Sequence, residues 1–177
     1  MNESHSGYLL GIGSNIEPQA NIAKIIQLLL QQLPCLSLSR VLKIPPIGMN
    51  SRRDFLNVVV FIETDMAETE LKTICNDIEI ALGRDRSDPA RKIKDRTADL
   101  DILTKVIFPD DGNRLVSSIT DEYFLYPLLE EINAYLSNGD YLSQQVGETI
   151  TVDDLTFGQT ATTINRDASA GNERIIQ

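Results

Sequence analysis

The sequence predicts an α+β domain in which two amphipathic helices cover one face of an antiparallel sheet. Two segments with 3.6-residue apolar periodicity, four segments of strand-like composition and the order in which they alternate carry that expectation. With 177 residues and 42% hydrophobic content, the chain is of single-domain size and has enough apolar surface for a core without a disulfide or metal staple.

Residues 8–13 form an apolar run ending in Gly13-Ser14-Asn15 and read as the first strand. After a turn containing Pro18, the residues Ile22, Ile25, Ile26, Leu29, Leu30 and Leu33 fall three or four apart, the core stripe of a helix that Pro34 cannot continue. Residues 36–44 alternate as a half-buried strand, and Pro45-Pro46-Ile47-Gly48 breaks regularity. Residues 55–62 are nearly all β-branched or aromatic, a central strand buried on both faces. Asp65 and Glu68 suit a helix start; Leu71, Ile74, Cys75, Ile78, Ala81 and Leu82 share one face, and Gly83 suits the C-terminal cap. Residues 97–107 read as the next strand. The order strand, helix, strand, strand, helix, strand is the split βαβ, ferredoxin-like arrangement. Additions follow: a helix from beyond Ile119 through Tyr135, a hairpin over 148–157, and a polar, aperiodic tail over 160–177 expected to be flexible. The expectation is therefore one domain over 1–177 with its core at about 7–158.

Cys35 and Cys75 are the only cysteines, which suggests reduced thiols in a reducing compartment. No segment approaches the ~20 apolar residues that span a bilayer. A cytoplasmic protein, a monomer or weak dimer, is the expectation. The formal charge of −10 argues against nucleic acid as a partner. Against that balance, six of the sixteen basic residues (Arg84, Arg86, Arg91, Lys92, Lys94, Arg96) lie within one loop, an arrangement suited to a small anion. A solvated loop of mixed charge is the competing reading, since Asp85, Asp88 and Asp95 are interleaved.

Aspartate is depleted in strands, yet Asp99 and Asp101 sit inside one. At i and i+2 they point to the same face, about 7 Å apart at the backbone. Such a pair repels itself unless a cation lies between, and hard oxygen ligands at this spacing suit Mg2+ shared with phosphate oxygens. A water-facing strand surface is the alternative, but an Arg-rich loop running into the pair favours the phosphoryl-transfer assembly of metal, carboxylates and guanidinium forks. Asn57 is a lone amide in an apolar strand; it either caps a backbone group or reads the polar edge of a heterocycle. Phe55, on the same face, serves equally as core or as a stacking ring. Glu79 reads as a solvated helix glutamate or a nucleotide contact. The single His5 excludes a histidine triad, the Walker loop is missing, and Gly11-Ile12-Gly13 lacks the third Rossmann glycine, so it reads as a strand end.

Several strings then match one family in order: Gly13-Ser14-Asn15, Pro45-Pro46-Ile47-Gly48, Asp54-Phe55-Leu56-Asn57, Ile78-Glu79, Leu82-Gly83-Arg84, Arg96-Thr97-Ala98-Asp99-Leu100-Asp101-Ile102-Leu103 and Tyr126-Pro127-Leu128. The chain resembles the 6-hydroxymethyl-7,8-dihydropterin pyrophosphokinases of folate biosynthesis, as a divergent member. The resemblance implies the ferredoxin-like fold, and pyrophosphoryl transfer from Mg-bound ATP to the pterin hydroxymethyl group with release of AMP. It implies that Asp99 and Asp101 hold two Mg2+ ions and that Arg84, Arg86 and Arg96 contact phosphates. It further implies that Glu79 and Ile102 line the ATP pocket, and that Pro45, Ile47, Phe55, Asn57 and Tyr123 line the pterin pocket. The chain departs from the family pattern in three places. It has no tryptophan in the basic loop, Arg114-Leu115-Val116-Ser117-Ser118 replaces a Pro-His pair, and Asp121 stands where an arginine is usual. Two other readings stand beside the enzyme: a weakly active or inactive paralogue that binds pterin and nucleotide, and a ferredoxin-like nucleotide-sensing module.

Overall fold

The computed structural model describes residues 3–49, 51–84, 87–90, 94–143, 145–167 and 174–176. Strands β1 (His5–Ser14), β2 (Cys35–Leu38), β3 (Leu42–Ile44), β4 (Phe55–Glu63) and β5 (Asp99–Phe108) alternate with helices α1 (Pro18–Gln32) and α2 (Glu68–Ala81). Helix α3 (Tyr126–Leu136), the hairpin β6 (Ile150–Val152) and β7 (Leu155–Phe157), and strands β8 (Thr162–Asp167) and β9 (Arg174–Ile176) follow. The main sheet has seven strands in the order β5-β1-β4-β2-β8-β9, with β3 also paired to β4. Its first four path positions give the expected ferredoxin-like α+β order, antiparallel throughout.

The period-2 alternation of β1 sorts the two faces. Tyr8, Leu10 and Ile12 join Leu56, Val58, Val60 and Ile62 of β4 under the apolar stripes of α1 and α2. Ile25, Ile26 and Leu29 of α1 have no exposed surface, and each such burial is worth about 2 kcal/mol. On the opposite face Leu9, Val59 and Phe61 pack with Leu128, Leu129 and Ile132 of α3. Because α3 covers only part of that face, the end carrying Gly11 and Gly13 is left for a ligand.

Four features differ from the sequence expectation. Pro18 sits in the first turn of α1, where its missing N–H costs nothing. The strand expected over 36–44 is split. Ser39 Oγ accepts the Val59 N–H at 2.9 Å. Beside it, Arg40 turns to clasp Glu131 of α3 through its backbone N–H (2.8 Å), Nε (2.9 Å) and Nη2 (2.8 Å). Helix α3 begins only at Tyr126, since Pro127 fits a first turn and not a helix interior; short 3-10 turns at Val116–Ser118 and Tyr123–Leu125 precede it. The expected flexible tail contains β8, which pairs with β2 from Cys35↔Asn165 to Leu38↔Thr162; the free edge of β2 supplies the N–H and C=O groups that order it. Residues 168–173 and 177 of that tail lie outside the described residues.

Among the described residues no helix is long and apolar enough to cross a membrane. Neither Cys35 nor Cys75 is in a disulfide among the described residues.

The Arg40–Glu131 clasp is nearly dry, with side-chain exposures of 11% and 5%. Glu131→Ala is expected to lower the unfolding free energy by about 3 kcal/mol in urea denaturation, because it takes the carboxylate from a largely buried guanidinium. Replacing both partners with Met and Leu should recover most of that loss.

Candidate active site

A cleft of about 800 Å³ opens over the uncovered end of the sheet. Its floor comes from β1, β4 and β5, and its walls from the loop after β3 and the turn before α3. That volume suits a small-molecule ligand.

The acidic floor depends on register. In the β1–β5 ladder Asp99 lies opposite Gly13 and Asp101 opposite Gly11, so both carboxylates rise over residues without side chains. The register then slips, with Leu10 opposite Ile102 but Leu9 opposite Thr104, leaving Leu103 as a bulge. The slip moves the next apolar residues, Val106 and Phe108, onto the face that Asp99, Asp101 and Leu103 already occupy. One strand thereby presents carboxylates at the cleft and core residues under α3.

Two guanidinium groups close on Asp99. Arg84 Nη1 donates to Asp99 Oδ1 at 2.7 Å, and Arg96 Nη1 donates to Asp99 Oδ2 at 2.9 Å. Arg84 Nη1 also meets Glu79 Oε2 at 2.6 Å and the Ala98 carbonyl at 3.3 Å. Burial works against the Arg84 charge, but Asp99 and Glu79 outweigh it and hold its pKa above the ordinary value. Glu79 has 0% exposure and accepts the Leu100 N–H at 2.9 Å. It therefore does not line the cleft and is not a solvated helix residue; it backs Arg84 from beneath, because a fully buried carboxylate needs both a cation and a donor.

The electrostatics of the cleft are acidic. Asp99, Asp101, Asp121 and Glu122 line it against Arg84 and Arg96. Although Asp101 faces cleft water, the surrounding protein together with Asp99, Glu122 and Glu79 disfavours its charge and raises its pKa to about 7, with Arg84 opposing. Glu122 is also raised, by desolvation and by Asp99, with Arg96 opposing. A divalent cation is the natural complement to this excess, and the hard oxygens of Asp99 and Asp101 fit Mg2+. Among the described residues no group of three or more His, Cys, Asp or Glu side chains is placed to hold a metal. A metal held by Asp99 and Asp101 would draw its remaining oxygens from its ligand and from water.

The opposite end of the cleft is amphipathic. Phe55 and Asn57 project from β4 beside Ile44, Pro45, Ile47, Met49, Phe124 and Leu125. Asn57 is 6% exposed, and no hydrogen bond among the described residues engages its amide, so of its two sequence readings the ligand-facing one fits better than the backbone cap. A Cβ on Gly13 would stand 2.7 Å from Asn57 Oδ1, so this glycine makes the room in which the amide sits.

Of the residues expected at the site, the cleft brings together Arg84, Arg96, Asp99, Asp101, Ile102, Pro45, Ile47, Phe55 and Asn57. Arg86 lies outside the described residues, as do Arg91 and Lys92. Tyr123 is 61% exposed and stands outside the lining, its ring edge-on to Phe124, which takes the place at the wall. Gly11, Gly13, Met49, Thr120, Glu122, Phe124 and Leu125 were not identified from the sequence as site residues. A signal existed for the glycines: spaced by two on a strand, they share the face of the aspartates opposite them.

The open face of this antiparallel α+β sheet joins a carboxylate pair and two guanidinium forks at one end of a cleft to an amide-bearing apolar corner at the other. The sequence model of the 7,8-dihydro-6-hydroxymethylpterin-pyrophosphokinase (HPPK) family matches residues 9–132, and the chain belongs to that family. It is 30% identical over 102 residues to the 2-amino-4-hydroxy-6-hydroxymethyldihydropteridine pyrophosphokinase of Porphyromonas gingivalis, a match covering 56% of this chain and 69% of that protein. It is 34% identical over 97 residues to the protein of the same name from Bacillus subtilis, covering 53% and 56% respectively.

The Asp101 shift has a measurable consequence. The folded protein keeps this proton to about pH 7, whereas the unfolded chain loses it near 3.8. Between those values the folded state holds the extra proton, so stability falls as pH rises. In urea denaturation of metal-free protein, Asp101→Asn should match the parent near about pH 3.5 and become progressively more stable than it toward about pH 8. Superimposable pH profiles would give Asp101 an ordinary pKa.

Proposed function

We propose that this protein transfers the pyrophosphoryl group of ATP to the hydroxymethyl group of 6-hydroxymethyl-7,8-dihydropterin, releasing AMP, as a step of folate biosynthesis. The carrying observation is the meeting, in one cleft, of Asp99, Asp101, Arg84 and Arg96 with the Asn57–Phe55 corner. Family membership and the names of both relatives support the same reaction.

Asn57 offers a donor and an acceptor to the polar edge of the pterin, while Phe55 and Phe124 supply apolar faces, with Tyr123 near enough in sequence to join them. Pro45 and Ile47 close the pterin side. Ile102 packs against the nucleotide. Arg84 and Arg96 take phosphate oxygens in place of the Asp99 oxygens they now hold, and Arg86 adds a third cation. Mg2+ held by Asp99 and Asp101, two ions in this reading, neutralises phosphate charge. The pterin hydroxyl oxygen bonds to the β-phosphorus and the bond to the bridging oxygen of the α-phosphate breaks. AMP leaves with that oxygen, and the hydroxyl proton passes to water. Positioning and charge neutralisation suffice, with no covalent intermediate. The protein acts in the cytoplasm on free small molecules, as a monomer or weak dimer, without nucleic acid or membrane as a partner.

A second reading, a slow paralogue, is favoured by one observation: Asp121, where an arginine is usual in the family, lines the cleft with Glu122 beside it, adding repulsion beside the phosphates. Incubation with ATP, Mg2+ and the reduced hydroxymethyl pterin separates the readings. Pterin-dependent AMP release supports the enzyme, and pterin binding without turnover supports the paralogue. Asp99→Ala is expected to lower kcat by about a thousandfold while the protein still melts cooperatively; full activity in that variant would remove the metal role. Asp121→Arg should raise kcat/KM for ATP by roughly tenfold through the restored cation. A fall in kcat/KM would show that the acidic rim serves turnover.

A further inference from the structure

At the end of β1, Asn15 joins three segments. Its Oδ1 accepts the Arg96 N–H at 2.6 Å, and its own N–H donates to the Arg96 carbonyl at 2.9 Å. Its Nδ2 donates to Asp95 Oδ1 at 2.9 Å and reaches the Arg53 carbonyl at 3.5 Å. The second Asp95 oxygen lies 3.5 Å from Arg53 Nε. Ser14 Oγ adds a contact to the Arg96 carbonyl at 3.4 Å.

An amide has one accepting and one donating end, and at 2% exposure Asn15 can leave neither to water. The Arg96 N–H demands the oxygen end, so the nitrogen end must find an acceptor. Asp95 supplies a charged one, far better placed than the Arg53 carbonyl. The same carboxylate then reaches across to the Arg53 side chain, two residues before Phe55 on the wall that also carries Ile47 and Met49. One acidic side chain thus links the loop entering β4 to the segment entering β5.

We propose that Asp95 is a positioning residue for the reaction described above. Through the Asn15 amide it fixes the backbone of Arg96, and hence the guanidinium on Asp99. Through Arg53 it ties the apolar wall of the cleft to the charged wall, so that a ligand ordering one wall orders the other. The proposal rests on the pyrophosphokinase reading for its ligands, but the latch can be read without them.

The variants separate its two limbs. Asp95→Asn keeps an acceptor for Asn15 and loses the charge that faces Arg53; Arg53→Gln cuts only the second limb; Asp95→Ala cuts both. In ligand-free protein, Asp95→Ala should speed hydrogen exchange at the Arg96 amide by about tenfold, and Asp95→Asn should restore it. Calorimetry with Mg2+ and a non-hydrolysable ATP analogue, with and without pterin, reads the second limb. The factor by which one ligand tightens the other should shrink in Asp95→Ala and in Arg53→Gln. A lowered melting temperature with unchanged Arg96 exchange and an unchanged coupling factor would overturn the proposal. Parent protein that releases no AMP would instead end the functional reading, leaving the exchange result to judge the latch.

Discussion

The site depends first on a charge that the fold buries. Glu79 is enclosed at the last turn of α2, and a carboxylate there is tolerated only if its oxygens are matched. One match is the Leu100 N–H and the other is Arg84, which leaves the helix just past Gly83. Gly83 has φ +92°, a left-handed conformation that glycine adopts without strain, and this turn sends Arg84 back toward the sheet. With its guanidinium held from below by Glu79, Arg84 can present the same Nη1 to Asp99. The helix end, the buried acid and the strand of aspartates are thus a single electrostatic unit.

A second constraint is geometric. A strand with strict alternation cannot place Asp99, Asp101 and Leu103 on the same face as Val106 and Phe108, because the interval between Leu103 and Val106 is odd. The bulge at Leu103 supplies the extra residue, and β5 then serves as cleft floor in its first half and core strand in its second. The glycines of β1 complete the arrangement. Opposite Asp99 and Asp101 there is no side chain to fill the space over the carboxylates, so Asp99 is met from the side by Arg84 and Arg96 while Asp101 faces the open cleft.

Much of this was legible in the sequence wherever one local pattern decides the outcome. The period of 3.6 in α1 and α2 and the apolar runs of β1 and β4 all report burial directly, and the elements lie where those patterns place them. The aspartate pair was legible because charge inside a strand is costly without a purpose, and Arg84 because it belongs to the cations that an acidic chain gathers into one loop. What escaped depends on partners distant in sequence. Glu79 looked solvated because its partners, Arg84 and the Leu100 N–H, are brought to it only by the fold. Strand β8 looked like tail because its polar residues gain order from the open edge of β2, not from their own periodicity. Arg40 broke a strand because Glu131 lies across the domain. Phe124 lines the cleft next to the Tyr123 that the resemblance implied, and no local pattern in the sequence marks it.

The acidity of the cleft connects these constraints to chemistry. Arg84 and Arg96 spend their donors on Asp99 when no other anion is present, which keeps two cations desolvated, oriented and neutralised in place. On the proposed reading, a polyphosphate carrying a divalent ion would exchange partners with this arrangement: Asp99 and Asp101 would hold the metal, and the freed guanidinium groups would meet phosphate. Charge is conserved through the exchange, so no ion is left uncompensated in a low-dielectric site. A polyphosphate without metal would meet the unpaired acids of the cleft and be repelled, and a metal without phosphate would have to displace two arginines with nowhere for them to go. On the proposed reading the cleft therefore takes the two together, and the carboxylates of Asp121 and Glu122 would make every negative charge that enters without a counter-ion more costly.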